Sequence, residues 1–442
     1  MMKMTAFISA ILLTVAAIGC GSYNSRATSA DSTTETSDPQ PTISDNRHRS
    51  APAVLPGIEV LRRNGFEELD GLRVGLITNP TGVDNSLKST IDILAEAPNV
   101  RLTALFAPEH GVRGDHVAGA SVANDTDPKT GVPIYSLHGK TRKPTAEMLQ
   151  NVDVLVYDIQ DIGTRSYTFI STMGLAMEAA AQNGKKFMVL DRPNPLGGNK
   201  VEGNIAEQGC FSFVSQYPIP YVYGLTPGEL ARYLNGEGLL KSGMKADLTV
   251  IPMKGWHRSM TFAETGMPWV LPSPHIPDPS TALLYPATGI MGELDYVSIG
   301  VGYTLPFKLT GATWINAQAL ADRLTALKIP GVEFRPIHYK PFYAIFKGEN
   351  LHGVEVYVRD AEAAPLSLIQ FYIMQELAAM YPTQKAFSKA TQARLNMFDK
   401  VCGSPKIRQL FEKAYKVSDI EEYWNKDIEG FKARAEIYQL YK

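Results

Sequence analysis

The segment Pro108-Glu109-His110-Gly111 sets a carboxyl group directly before a glycine-containing turn. Held in a cleft wall, such a carboxyl keeps its proton more tightly than in water and can protonate a departing glycosidic oxygen. His110 and Arg113 either orient that acid or bind substrate; alternatively, Glu109 and Arg113 form a purely structural pair. A second constellation holds Asp158, Asp161, Arg165 and Tyr167. Two acids, a phenol and an arginine suited to bidentate carboxylate recognition read as a grip on sugar hydroxyls and a substrate carboxylate. They read equally as an ion-pair network satisfied beneath a site. Asp191, Arg192 and Asn194 either line the cleft, the favoured reading, or cap a turn stiffened by Pro193 and Pro195. Glu202, Glu293 and Asp295 read more readily as surface or loop acids. His110, Asp115 and His116 are close in sequence but lack His-Glu-x-x-His or paired-cysteine spacing, so no metal site is expected.

The elements that must position these groups alternate between strand and helix. Arg73–Asn79, Arg101–Ala107, Val152–Tyr157 and Lys186–Leu190 are short apolar runs. Helical spacing separates them over Ser86–Glu96 and from about Ile170 to Asn183, with Gly184 as a C-cap. Continuous apolar strands between helices predict a parallel sheet covered on both faces, with ligands beyond the carboxyl ends of its strands. Glu109, Asp158 and Asp191 each follow such a strand, so one sheet edge gathers them. Asp247–Pro252 reads as a further strand of this layer, and Trp269–Pro286, dense in proline and aromatic residues, as a wall rather than a helix. Val297–Gly302 and Gly353–Val358 alternate as strands do, and the pattern is helical from Pro365. The fold class is therefore α/β: a Rossmann-like parallel-sheet domain over 56–275, with a smaller α+β domain over 276–442. Thr78-Asn-Pro-Thr-Gly82 follows the first strand where a dinucleotide fold has Gly-x-Gly-x-x-Gly. No Walker loop or Gly-x-Ser-x-Gly elbow occurs, so dinucleotide, phosphoryl-transfer and ordinary serine-hydrolase chemistry lose support and no cofactor is expected.

The chain has 442 residues, with 43 basic and 45 acidic side chains. That balance gives no reason to expect nucleic acid as a partner. Residues 1–20 carry Lys3, then the apolar run Ala6–Ile18, then Gly19-Cys20. This is a secretory signal, too short for a spanning helix of roughly 20 apolar residues. Residues 21–55, rich in Ser, Thr, Asp and Pro, bury too little to offset their ordering entropy and are expected to form a tether. Only Cys210 and Cys402 remain, more readily two buried thiols than a disulfide framework.

Gly19-Cys20 resembles the lipobox of bacterial lipoproteins, which implies lipidation of Cys20, a membrane partner through that anchor, and an exported, periplasm-facing or cell-surface location. Further segments resemble the exo-β-N-acetylmuramidases of the NamZ type. They are Leu105–Gly114, Ser136-Leu-His-Gly139, Asp158-Ile-Gln-Asp-Ile-Gly-Thr-Arg165, Leu190–Pro195, Glu202-Gly203, Ser273-Pro-His-Ile-Pro277 and Pro306-Phe307. The resemblance runs from about Gly57 to the C-terminus. It implies a Rossmann-like domain that binds no nucleotide, a smaller C-terminal domain, and a cleft between them. It also implies release of N-acetylmuramic acid from the non-reducing end of peptidoglycan fragments, with Glu109 as the catalytic residue. The second catalytic group stays open among Asp158, Asp161, Glu293 and the substrate's own acetamido group. The chain departs from the family pattern at Tyr223, where histidine is usual, and at His275, where asparagine is usual. It also departs across Glu293–Ser298, which includes Tyr296, and at Val301. These changes bear on the exact sugar more than on the hydrolase class. The alternatives are a non-catalytic lipoprotein that binds glycans or muropeptides, and a glycosidase for another amino sugar.

Overall fold

Seven strands hydrogen-bond into one sheet: β1 (Arg73–Thr78), β2 (Arg101–Ala107), β3 (Asp125–Thr126), β4 (Pro133–Ser136), β5 (Val154–Asp158), β6 (Lys186–Leu190) and β7 (Asp247–Ile251). Their order is β3-β4-β2-β1-β5-β6-β7, parallel throughout except for the β3–β4 pair. The computed structural model describes residues 54–114 and 125–442. Cys20, the expected signal, most of the expected tether, Asp115 and His116 lie outside the described residues. The far end of the expected tether is corrected: Val54 is buried and Leu55 bridges Lys254, so both belong to the fold.

The central strands carry consecutive buried apolar residues, as in Val154–Tyr157 and Phe187–Leu190, because both faces are covered. Val154 and Val156 point into a core shared with α1 (Gly57–Arg63) and α2 (Thr90–Glu96). Leu155 and Tyr157, between them in sequence, point into the opposite core under α3 (Phe169–Gln182) and α4 (Pro227–Gly236). Strand periodicity of two forces this division. Helix α2 starts later than its spacing predicts. Asp84 accepts the amides of Ser86 and Lys88 and holds them in a turn, and Ser89 caps the helix.

The second part is built on a three-stranded antiparallel sheet, order β8-β10-β9, formed by β8 (Leu309–Ala312), β9 (Val332–Tyr339) and β10 (Leu351–Val358). A core from α5 (Pro279–Gly292), α6 (Ala317–Ala326) and α7 (Ile369–Met380) packs against it. Five helices follow: α8 (Ala386–Lys389), α9 (Gln392–Cys402), α10 (Pro405–Ala414), α11 (Glu421–Asn425) and α12 (Ile428–Ala435). Two expectations fail here. The end of Trp269–Pro286 is helical, because Asp278 caps α5 and Pro279 occupies its first turn, where a missing N–H costs nothing. Val297–Gly302 is not a strand; only Ser298 bridges, to Gly311. The chain end returns to the first layer, where the Tyr441 hydroxyl donates to Asp191 at 2.6 Å.

Candidate active site

Strand β2 delivers the acid. Beyond Ala107 and Pro108 the backbone turns sharply: His110 (φ 78°) and Gly111 (φ 80°) are both left-handed. For His110 that conformation costs on the order of 1 kcal/mol, a strain the surrounding structure must hold. The turn leaves the Glu109 side chain in the wall of a cleft of about 200 Å³, half-buried with 31% of its side chain exposed. The loop after β4 is tied to the same strand end, since the Leu137 amide donates to the Ala107 carbonyl at 2.7 Å. That tie brings His138 Nδ1 to 4.0 Å from Glu109 Oε2. His275 enters from the loop after β7, and His110 sits beside both. Burial pushes the His110 imidazole down, against the pull of Glu109, and the neighbouring His138 and His275 push it further the same way. Burial also lowers His275. Burial thus favours the neutral form of His110 and His275 beside the acid. His110 Nδ1 is buried with no hydrogen-bond partner.

The opposite wall is aromatic. Tyr167 and Phe169, at the start of α3, meet edge to face at 5.1 Å, and Tyr167 meets Tyr285 of α5 at 5.8 Å. Tyr285 contacts Phe307 at 4.7 Å, and all four line the cleft. The Tyr167 hydroxyl is buried without a well-formed hydrogen bond, with Ser273 alongside. The shape suits a sugar ring, with apolar flanks and a few polar groups left free.

Of the residues singled out in the sequence, Glu109, His110, Tyr167 and His275 line this cleft. The others are placed differently, and their expected roles are corrected as follows. Asp158 is fully buried and accepts from Arg192 Nε at 2.5 Å, Arg192 Nη2 at 3.0 Å and Thr90 Oγ1 at 2.5 Å. Arg192 Nη2 also donates to the Val83 carbonyl at 2.9 Å, and neither member of the pair lines the Glu109 cleft. Arg165, 1% exposed, donates to the carbonyls of Asn204, Ile219 and Val401 and to Ser215, so it cannot grip a substrate carboxylate. Burial lowers its guanidinium to about 10, still protonated at neutral pH. Arg113 is held by Asp127 and Asp92 rather than by Glu109. Asp191 accepts from Thr226, Gly228 and Tyr441 and anchors the start of α4. Asn194 closes a turn through Leu196 and Leu225. Glu202 accepts the amides of Leu366 and Ser367, tying the first layer to the second. Glu293 caps the C-terminal end of α5 outside the cleft lining, its carboxyl raised by burial against the pull of Arg394.

Asp161 and Tyr223 form a pair behind the aromatic wall. The Tyr223 hydroxyl and the Gly163 amide donate to one Asp161 oxygen; the other is buried without a partner. Burial raises this carboxyl to about 7, against those hydrogen bonds. Among the described residues, Glu109 is the carboxylate on the cleft wall. The sequence reading missed His138 and Tyr285. His138 sits in the segment Ser136–Gly139 that carries the family resemblance, a usable signal. Tyr285 lay in a stretch not expected to be helical, so no periodicity pointed to it. Among the described residues no cluster of three or more His, Cys, Asp or Glu side chains is arranged to hold a metal ion.

The chain matches two family models along most of its folded length. Residues 74–280 match the N-terminal domain of the exo-β-N-acetylmuramidase NamZ, and residues 283–441 its C-terminal domain. It is 46% identical over 398 residues to the peptidoglycan β-N-acetylmuramidase NamZ of Bacillus subtilis (strain 168), covering 90% of this chain and 94% of that protein. The crystal structure of a DUF1343 family protein from Bacteroides fragilis NCTC 9343 superposes with a TM-score of 0.86 at 56% identity, covering 89% of this chain and all of that one. A second such protein from the same organism has a TM-score of 0.69 at 29% identity, covering 88% of this chain and 99% of its own. With both halves matched in order over a shared two-part fold, the chain belongs to the NamZ family of exo-β-N-acetylmuramidases.

Proposed function

We propose that this chain is an exo-acting glycoside hydrolase that releases N-acetylmuramic acid from the non-reducing end of peptidoglycan fragments. The observation that carries the reading is Glu109, held by a strained turn in the wall of a ring-sized cleft, with His138 at 4.0 Å and an aromatic wall opposite. Glu109 acts as general acid and gives its proton to the leaving glycosidic oxygen as the bond to the anomeric carbon breaks. The buried ion pair of Asp158, the enclosure of Asp161 beside Tyr223 and the position of Glu293 outside the cleft lining support the substrate's own acetamido group as the second catalytic group. The substrate's acetamido oxygen therefore forms the new bond to the anomeric carbon. Water then displaces it and passes a proton to the Glu109 carboxylate, which restores the acid.

Incubation with a MurNAc–GlcNAc disaccharide, with products read by mass, tests this. Release of free N-acetylmuramic acid is expected, and Glu109→Gln should lower its rate about 10²–10⁴-fold. Near-normal release by Glu109→Gln removes the assignment, and no release by the folded wild-type protein favours a glycan-binding role.

The chain is also proposed to be exported and anchored through lipid on Cys20. The support is the apolar run Ala6–Ile18, the small residue before Cys20 and the polar stretch that follows. Metabolic labelling with a fatty acid should mark the wild type and not Cys20→Ala; equal labelling refutes the anchor.

A further inference from the structure

We infer that the loop between β9 and β10, residues 340–350, forms a second sugar-binding surface for the ring on the leaving side of the bond. This rests on the hydrolase reading above. The loop is rigidly built. The Phe342 amide donates to the Gly302 carbonyl at 2.7 Å, and the Gly348 amide to the Pro341 carbonyl at 2.9 Å. Ala344 (φ 64°) and Phe346 (φ 61°) are held in the left-handed region. Gly302 is required, because a Cβ there would lie 2.0 Å from the Tyr343 carbonyl oxygen. Phe346 packs inward against Leu309, Ile337 and Leu351.

The same loop leaves two aromatic rings outside. Phe342 is 66% exposed and Tyr343 49% exposed. Neither is loose: Phe342 lies nearly parallel to Tyr303 (6.0 Å, 24°) and Tyr343 to His275 (6.0 Å, 26°). The Tyr343 hydroxyl meets His275 Nε2 at 3.0 Å, and His275 lines the Glu109 cleft. Leu271, four residues before His275, is 47% exposed on the segment leading into the cleft. Through Tyr343 and His275 the loop with its exposed rings is thus joined to the cleft wall. Soluble proteins seldom hold large rings in water on a strained, braced loop without a partner for them.

The occupant follows from the geometry of an exo-acting site. The terminal sugar enters the enclosed end, so the rest of the glycan leaves past the rim, where His275 of the lining carries Tyr343 and, one residue before it in the chain, Phe342. An N-acetylglucosamine ring presents apolar C–H faces that stack on flat aromatic side chains, and both rings here are uncharged. A stem peptide or a second protein would meet the same surface through different chemistry.

The test compares two substrates. One is the MurNAc–GlcNAc disaccharide; the other is N-acetylmuramyl β-fluoride, whose leaving group has no ring. Phe342→Ala should lower kcat/KM for the disaccharide about tenfold, with the loss absent from the fluoride and the melting temperature unchanged. Phe342→Tyr, which keeps a flat ring, should restore the disaccharide rate. Equal loss on both substrates, or no loss on the disaccharide, overturns the proposal. A wild-type protein that cleaves neither substrate instead overturns the hydrolase reading on which it rests.

Discussion

Asp158→Asn and Glu109→Gln change similar groups by similar amounts, yet they should fail in opposite ways. Asp158 uses both oxygens, on Arg192 and Thr90, and Arg192 is itself 2% exposed. Neutralising the acid leaves a buried guanidinium uncompensated, which costs about 3–5 kcal/mol. The folded unit spans about 390 residues. At about 2.1 cal/mol/K per residue its unfolding entropy is about 0.8 kcal/mol/K, so the melting temperature should fall by about 4–6 °C. Glu109 is half-buried, and Gln has the same shape; its stability change should stay within about 0.5 kcal/mol, under 1 °C. Activity should reverse the ranking. Glu109→Gln should lose about 10²–10⁴-fold, while Asp158→Asn, assayed well below its melting point, should keep most of its turnover per folded molecule. Differential scanning fluorimetry with disaccharide turnover reads both quantities. An Asp158→Asn protein that melts with the wild type but is as inactive as Glu109→Gln would refute the reasoning and return Asp158 to the chemistry.

Three further outcomes follow from the same geometry. Asp161 titrates at about 7 when folded, against about 4 unfolded, so the unfolded chain gives up this proton first. Its contribution therefore lowers stability as pH rises from about 4 to 7, by roughly 4 kcal/mol at most, and is level beyond; Asp161→Asn should flatten that slope in urea titrations, and an unchanged slope contradicts the burial. Arg165→Met strands three backbone carbonyls at about 1–3 kcal/mol each, so it should lower the melting temperature and leave KM unaltered; raised KM with normal stability would reinstate it as a substrate contact. His138→Gln should reduce kcat about tenfold and change its pH profile, with KM and stability held, because its partner is the acid itself; a wild-type profile refutes that role.

Local pattern carried much of this protein. Apolar runs bounded by helical spacing give the parallel layer, because a strand covered on both faces must be apolar at every position. β2, β5 and β6 therefore end at one edge, and Glu109 is legible as the acid two residues beyond the end of a strand. The approach of His138 to Glu109 rests on an in-register β2–β4 pairing, with Ala107 opposite Ser136, that spacing alone did not reveal. Strand ends also gave no means to separate groups that face the hollow from groups that support it. Asp158, Arg192, Arg165 and Asp191 have the residue types of a sugar site, yet all four are buried and hydrogen-bonded by residues distant in the chain. Arg165 bonds Val401 and Asp191 bonds Tyr441, 236 and 250 residues away. A buried charge must find a partner, and tertiary packing, not local spacing, decides which partner is near. The aromatic wall depended on packing in the same way, because Tyr285 comes from α5 and reaches Tyr167 only when the two layers meet.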